Sequence, residues 1–376
     1  MKSLHTIAAV GATIALCACG SPKSTPESDS SECLTLIVGS YSAPGDSALR
    51  LYSFNTSDSS ARLLGSLPVA NASFAAITES GLIYALCESD SANSTVTALR
   101  LNDDKSGATV VNSQAVCSGA PCYIAQTPDN RFAVTANYTG GTAAVFSLQP
   151  DGSLGERSLL ITFDGNGPVE GRQQAPHPHC IAFTPDKRFM LVDDLGSDRI
   201  WMFALDGDYL SPVASEPADA VVLEPGSGPR HIEFNSKGDR AYLINELSDK
   251  VTVLSYDGSK LEPIQYIEAD SLGGHASADI HLSPDGRHLY ASLRLKNDGV
   301  VTFDVDPQSG KLTYKSHTPT PGGPRNFTIT PDGSLMLVAC QSGNVVQIYA
   351  IDSESGIPVD TGKSISQPKA VFVRVL

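Results

Sequence analysis

PHCIAFTPDKRFMLVDDL, residues 178–195, is the stretch on which the fold turns. It reads as a short apolar strand, a Thr-Pro-Asp turn and a second apolar strand, and it recurs along the chain. PCYIAQTPDNRFAVTANY begins at Pro121, PRHIEFNSKGDRAYLINEL at Pro229, SADIHLSPDGRHLYASLR at Ser277 and PRNFTITPDGSLMLVACQ at Pro324. A weaker copy, ASFAAITESGLIYALCES, begins at Ala72, and the starts lie roughly 47 to 57 residues apart. A third, alternating strand follows each pair, as at 141–148 and 250–256, and Asp-Gly loops such as Asp151-Gly152 and Asp257-Gly258 come next. Period-two alternation between turn signals means β-structure throughout, and the 3.6-residue apolar period of helical repeats is absent. A unit of this length with about four strands is the propeller repeat, whereas solenoid units are shorter.

Six copies are visible, and the ends of the chain imply a seventh. Leu34-Thr-Leu-Ile-Val38 and Leu49-Arg-Leu-Tyr-Ser-Phe54 are strands with no inner strand before them, and Lys369–Leu376 is a strand with no blade after it. One blade shared by both ends would close the ring and remove its open edges. The expected fold is therefore an all-β, seven-bladed propeller over residues 33–376, closed by N- and C-terminal strands.

The first 32 residues carry a different message. Thr6 to Leu16 is a small apolar core, too short to span a bilayer and suited to a signal peptide over 1–18. It ends in Leu16-Cys17-Ala18-Cys19-Gly20, which resembles a bacterial lipobox with Cys19 as the lipidated residue. Residues 19–32 are rich in Ser and Pro and read as a flexible tether. The expected product is an exported cell-envelope lipoprotein, periplasmic or attached to the outer membrane, that touches membrane only through its anchor. An exported chain permits disulfides. Cys117 and Cys122 are near enough in sequence to pair, but scattered buried thiols fit the spacings of the remaining six cysteines equally well.

A formal charge of −15 repels nucleic acid and makes any cluster of cations conspicuous. Aligning the copies on their turns produces such a cluster. Six residues before the turn stand Cys122, His179, Arg230, Ala278 and Arg325; ten residues after it stand Tyr138, Leu195, Glu246, Arg294 and Gln341. The turn joins antiparallel strands, so both columns lie at one end of the hairpin. With the first strand innermost, both should ring one mouth of the central channel. Arginines there can hold a carboxylate or phosphate and stabilise an oxyanion, and a neighbouring carboxylate or imidazole can move a proton. The competing reading is structural pairing of Glu246 with Arg230 or Arg294. His231 alternates away from Arg230 and reads as a wall residue, and Asp194–Asp198 reads as a loop with Gly196 supplying a positive φ. His177 and His179 form an H-x-H without carboxylates at metal-ligand spacing, so no metal is expected. GxSxG, P-loop and GxGxxG motifs are missing, which argues against a serine hydrolase or a nucleotide enzyme.

Several phrases, in order along residues 34–376, are similar to the lactonase family of seven-bladed propellers. They are Asn137-Tyr138 with Gly140-Gly141, His177-Pro-His179, Asp194-Leu-Gly-Ser-Asp198, Gly228-Pro-Arg-His231, Asn245-Glu-Leu247, Ser283-Pro-Asp-Gly286 and Pro324-Arg325. That family includes propeller-type 6-phosphogluconolactonases and the fungal carboxy-cis,cis-muconate cyclases. The resemblance implies a catalytic set of His179, Arg230, Glu246 and Arg294, with Leu293 standing where the family has Asn. Arg325, Gln341, Asn137 and Asp194 are expected to bind substrate, and no cofactor is expected. The implied reaction is opening of a sugar or aldonic lactone, with Glu246 or His179 as base. A muconate-type cycloisomerase and a non-catalytic propeller that binds glycan or protein remain as alternatives. The expected partner is a small anionic lactone or sugar acid, and a closed toroid is expected to be a monomer.

Overall fold

A computed structural model describes residues 33–43, 45–78, 80–205 and 214–376; the expected signal peptide, lipidated Cys19 and tether lie outside them. The described residues form twenty-eight strands, numbered β1 to β28 in chain order, and no helix. They make seven four-stranded antiparallel sheets. Six are consecutive in sequence, each starting from an inner strand: β4 (Ala72–Ile77), β8 (Pro121–Gln126), β12 (Pro178–Phe183), β16 (Pro229–Phe234), β20 (Ile280–Leu282) and β24 (Pro324–Ile329). The seventh runs β28-β1-β2-β3, where β28 is Ala370–Val375, β1 is Cys33–Ser40, β2 is Leu49–Asn55 and β3 is Ser60–Leu67. The seven-bladed closure expected from the sequence is thus present, and Leu376 N–H donates to the Thr35 carbonyl at 2.9 Å across the seam.

The repeated turn explains why the hairpins keep register. The Thr127 hydroxyl donates to Asp129 Oδ1 at 2.5 Å and accepts from the Phe132 N–H at 3.1 Å. Thr184/Asp186, Ser283/Asp285 and Thr330/Asp332 repeat the donation to the Asp. Each turn therefore satisfies its own backbone, as Ser/Thr and Asp side chains do in turns. Between blades, buried tyrosines reach the next blade's Gly loop: Tyr84 to the Gly152 carbonyl, Tyr242 to Gly310 and Tyr290 to Gly356, all within 3.1 Å. Their rings are fully buried, each contributing roughly 2 kcal/mol of apolar burial beyond the hydrogen bond.

All six described cysteines are free; Cys122 is buried with its thiol against the carbonyls of Ala136, Pro178 and His179, while Cys117 is exposed. Gly196 is not in the left-handed region. That conformation falls on Asp198 (φ 54°), and what excludes a side chain at 196 is the Ala175 carbonyl oxygen, 1.9 Å from where a Cβ would stand. The loop reading of Asp194–Asp198 holds, but its glycine is there for close approach.

Candidate functional site at the channel mouth

The second alignment column becomes a ring through one backbone contact. The residue after the second strand of a blade donates its N–H to the carbonyl just before the innermost strand. Tyr41 donates to Lys369, Glu88 to Asn71, Tyr138 to Ala120, Leu195 to His177, Glu246 to Gly228 and Gln341 to Gly323. In the blade of β20 the side chain does this work, Arg294 Nε reaching the Ala276 carbonyl at 2.7 Å. Tyr41 and Glu88 are new members. The Ala72 copy has a turn one residue shorter, closed by Thr78 N–H to Leu82 rather than Thr127 N–H to Phe132, so its column falls on 88 and not 89.

Glu246 stands at the centre. Its Oε1 is 2.6 Å from Arg172 Nη2; its Oε2 is 2.7 Å from Arg230 Nε and 3.2 Å from Arg294 Nη2. Burial alone would raise this carboxyl's pKa, but Arg294, Arg230 and Arg172 outweigh it and hold the value at about 2. Arg172 comes from the long loop before β12, which has no counterpart in the repeat. It also donates to the Tyr138 hydroxyl at 3.3 Å. Across the mouth, Glu88 accepts from the Tyr41 hydroxyl at 3.0 and 3.1 Å, and Arg325 lies 3.9 Å from it and over the Tyr41 ring. Burial, reinforced by Arg230 and Arg325, disfavours charge on Arg294, with Glu246 opposing. Four guanidiniums thus face two carboxylates, leaving two positive charges uncompensated.

His179, only 4 % exposed, is held edge-on to the Tyr138 ring at 5.6 Å and to the His231 ring at 5.3 Å. Its Nδ1 is buried with no hydrogen-bond partner. Burial and then the charges of Arg230 and Arg325 push its pKa well below the usual histidine value, so the ring is neutral. Arg230, 1 % exposed, spends Nε on Glu246 and Nη1 on the Ala278 carbonyl (2.5 Å) and His231 Nε2 (3.1 Å). These bonds leave Nη2 for a ligand.

The structure brings together His179, Arg230, Glu246, Arg294 and Arg325, with Gln341 on the same ring. Asn137 and Asp194 are engaged elsewhere. Asn137 is fully buried and ties Thr135 to Thr142. Asp194 accepts from the N–H groups of His177 (2.6 Å) and Gly196 (3.0 Å), from the Ser197 hydroxyl and from Trp201 Nε1 (3.2 Å). Its carboxylate therefore organises the loop that precedes His179. His177 stacks on Tyr138 at 4.4 Å. His231 lines the cavity on the far side of Arg230, and its Nδ1 meets Asp279 Oδ1 at 2.7 Å.

Comparison with known proteins agrees with the seven-bladed fold. Residues 35–375 match the model of the lactonase family of seven-bladed β-propellers. A 6-phosphogluconolactonase of Formosa agariphila is 33 % identical over 330 residues, covering 85 % of this chain and 93 % of that protein. The crystal structure of a candidate 6-phosphogluconolactonase from Bacteroides fragilis has a TM-score of 0.89 at 37 % identity, covering 94 % of this chain and all of that one. A periplasmic gluconolactonase of Pseudomonas aeruginosa has a TM-score of 0.86 at 26 % identity, over 92 % of this chain and 99 % of that one.

Proposed function

The chain belongs to the seven-bladed β-propeller lactonase family, and from that premise we propose that it hydrolyses an anionic sugar or aldonic lactone at the arginine-lined channel mouth. The observation that carries this is the uncompensated double positive charge beside a neutral histidine with an unbonded nitrogen, on a chain of formal charge −15. An anion is drawn to that one place and repelled elsewhere.

The chemistry assigns the two proton-transfer candidates different tasks. A carboxylate held at about 2 has little affinity for a proton at neutral pH, so Glu246 serves to hold Arg172, Arg230 and Arg294 in place. His179 is the base. Burial is the main cause of its low basicity, with Arg230 and Arg325 adding to it, and a bound anion offsets the arginine part of that shift. Arg230, through Nη2, and Arg294 polarise the lactone carbonyl. Water attacks the carbonyl carbon and gives its proton to His179. The guanidiniums hold the resulting oxyanion, the ring C–O bond breaks, and His179 returns the proton to the leaving alkoxide. The product is the ring-opened hydroxy acid.

Glu88 favours this reading over cyclisation of an unsaturated dicarboxylate. A carboxylate on the ring accepts hydrogen bonds from hydroxyls, which a sugar lactone has in number, and repels a second carboxylate. The lipobox-like Leu16-Cys17-Ala18-Cys19-Gly20 supports reading the chain as a cell-envelope lipoprotein, whose substrate would then be a periplasmic or extracellular lactone, with membrane contact through the anchor alone and a monomeric ring.

The test is a pH-indicator screen of phosphorylated and unphosphorylated δ- and γ-aldonolactones with the protein from Cys33 onwards, alongside Arg230→Met and His179→Phe. Turnover that both variants lose while remaining folded supports the site. No turnover on any lactone, together with saturable binding of a sugar acid, would replace catalysis with binding.

A further inference from the structure

A chain of ionic and hydrogen-bonded side chains leaves the mouth and runs down the channel. Glu246 Oε2 meets Arg230 Nε at 2.7 Å, and Arg230 Nη1 meets His231 Nε2 at 3.1 Å. His231 Nδ1 meets Asp279 Oδ1 at 2.7 Å, Asp279 Oδ2 meets His281 Nε2 at 3.2 Å, and His281 Nδ1 meets Glu233 Oε2 at 2.7 Å. The far end opens into a cavity of about 410 Å³ on the other side of the His231–Asp279 pair.

The protonation states along this chain follow from its ends. Arg230 can only donate, so His231 Nε2 must accept, and the single proton of a neutral imidazole must sit on Nδ1, facing Asp279. Burial and Arg230 hold the His231 pKa down to about 4, with Asp279 opposing, so the ring is neutral at ordinary pH. Burial opposes charge on Asp279, but His281 and the His231 bond outweigh it and keep it a carboxylate. His281 is itself raised to about 10 against its burial, by Asp279 and Glu233. The other rings around His231 are Phe74, Tyr123 and His179, and none supplies it a charge at neutral pH.

Asp279 does not depend on His231 for its own position. Its Oδ2 also accepts from Asn326 Nδ2 at 2.5 Å and the Phe327 N–H at 3.1 Å, and Asn326 Oδ1 in turn accepts from the Val373 N–H at 2.8 Å. Three neighbouring blades therefore fix the carboxylate, which fixes the imidazole, which fixes one edge of the guanidinium. With Ala278 and Glu246 taking the other N–H groups, only Nη2 is left without a protein partner.

We propose that Asp279 and His231 are positioning residues for Arg230: Asp279 selects the His231 tautomer that accepts from Arg230 Nη1 and so aims Nη2 at the bound lactone. The proposal rests on the reading that Arg230 binds the substrate. It is distinct from catalysis by His179, since neither residue touches the reacting atoms.

The experiment compares His231→Phe, His231→Gln and Asp279→Asn with the parent protein. His231→Phe keeps the ring and removes the acceptor; kcat/KM should fall about 10- to 100-fold, the range for partners that orient a functional group. His231→Gln restores an oxygen near Nε2 and should recover most of the loss, which a purely structural role for the ring would not produce. Asp279→Asn lets its amide donate to Nδ1, reverses the tautomer and should cost at least as much as His231→Phe. Nitrogen-15 NMR of labelled histidine reads the tautomer without any substrate: His231 should be protonated on Nδ1 in the parent and on Nε2 in Asp279→Asn. A folded His231→Phe with parental kcat/KM, or a parent His231 protonated on Nε2, overturns the proposal. Absence of turnover in the parent defeats the functional reading instead, and the NMR result still decides the tautomer.

Discussion

Glu246→Gln tests the electrostatic account most directly. The substitution keeps shape and removes the charge that Arg172, Arg230 and Arg294 share. Glu246 has its pKa lowered from 4.5 to about 2, a displacement worth about 3 kcal/mol of folded-state stability at neutral pH. Removing one member of a buried pair costs a similar 3–5 kcal/mol or so. For a propeller of roughly 340 residues, about 3 kcal/mol corresponds to a fall in Tm of about 4 °C. The pH dependence has a definite sign. A carboxyl depressed in the folded state stabilises above its unfolded pKa, and that contribution is lost as pH falls from about 4.5 towards about 2. The gap between parent and variant should therefore be full at pH 7, fall below half by about pH 3 and continue to close below that. Thermal melts of both proteins at several pH values measure it. A gap independent of pH, or a variant as stable as the parent at pH 7, would refute the view that the three arginines are balanced through this one carboxylate. Inorganic phosphate should also bind the variant more tightly while lactone turnover falls, because the mouth gains a positive charge and loses its organiser.

Three further outcomes follow from the same geometry. His179→Phe should lower kcat by about 10²- to 10⁴-fold with little change in KM or Tm, measured by initial rates and melting, since the ring carries the proton and no structural hydrogen bond through Nδ1. Asp194→Asn should cost about 2 kcal/mol or more by urea denaturation, because the amide cannot accept all four bonds of the carboxylate; a change confined to KM would return Asp194 to substrate binding. Gly196→Ala should destabilise by about 1–3 kcal/mol and lower phosphate affinity, read by calorimetry, because the displaced Ala175 carbonyl belongs to the segment that carries Arg172.

The fold was legible because four of the hairpins carry the same register mark. A Thr or Ser before Pro-Asp ties the turn to itself, so counting from it locates positions in blades far apart in sequence. That counting brings His179, Arg230, Glu246, Arg294 and Arg325 together from the sequence alone. It failed where the mark was altered. The shorter Thr78–Leu82 turn moved Glu88 by one place, Tyr41 belongs to the blade split between the two ends of the chain, and Arg172 lies in a loop with no repeat to count from. Asn137 and Asp194 are engaged within their own blades for another reason. They end the second strand, one residue before the ring, and at that point a polar side chain braces its own blade. Asn245 does the same, donating to Thr252 Oγ1 and the Lys250 carbonyl. Alternation likewise sent His231 away from the mouth correctly, but could not reveal that Arg230 is long enough to follow it.

The split blade bears on how the molecule is made. Its innermost strand, Ala370–Val375, is synthesised after all the others yet pairs with Leu36–Ser40, among the first described residues to emerge. The ring cannot be completed until Ala370–Val375 has left the ribosome, so the native state is withheld until its last strand has emerged. Closing so long a loop also places the most sequence-distant contacts at the last step, which slows folding and leaves an unpaired sheet edge open in the meantime. A circular permutant cut in the loop between two intact blades would turn that seam into a local hairpin and should fold faster without altering the mouth.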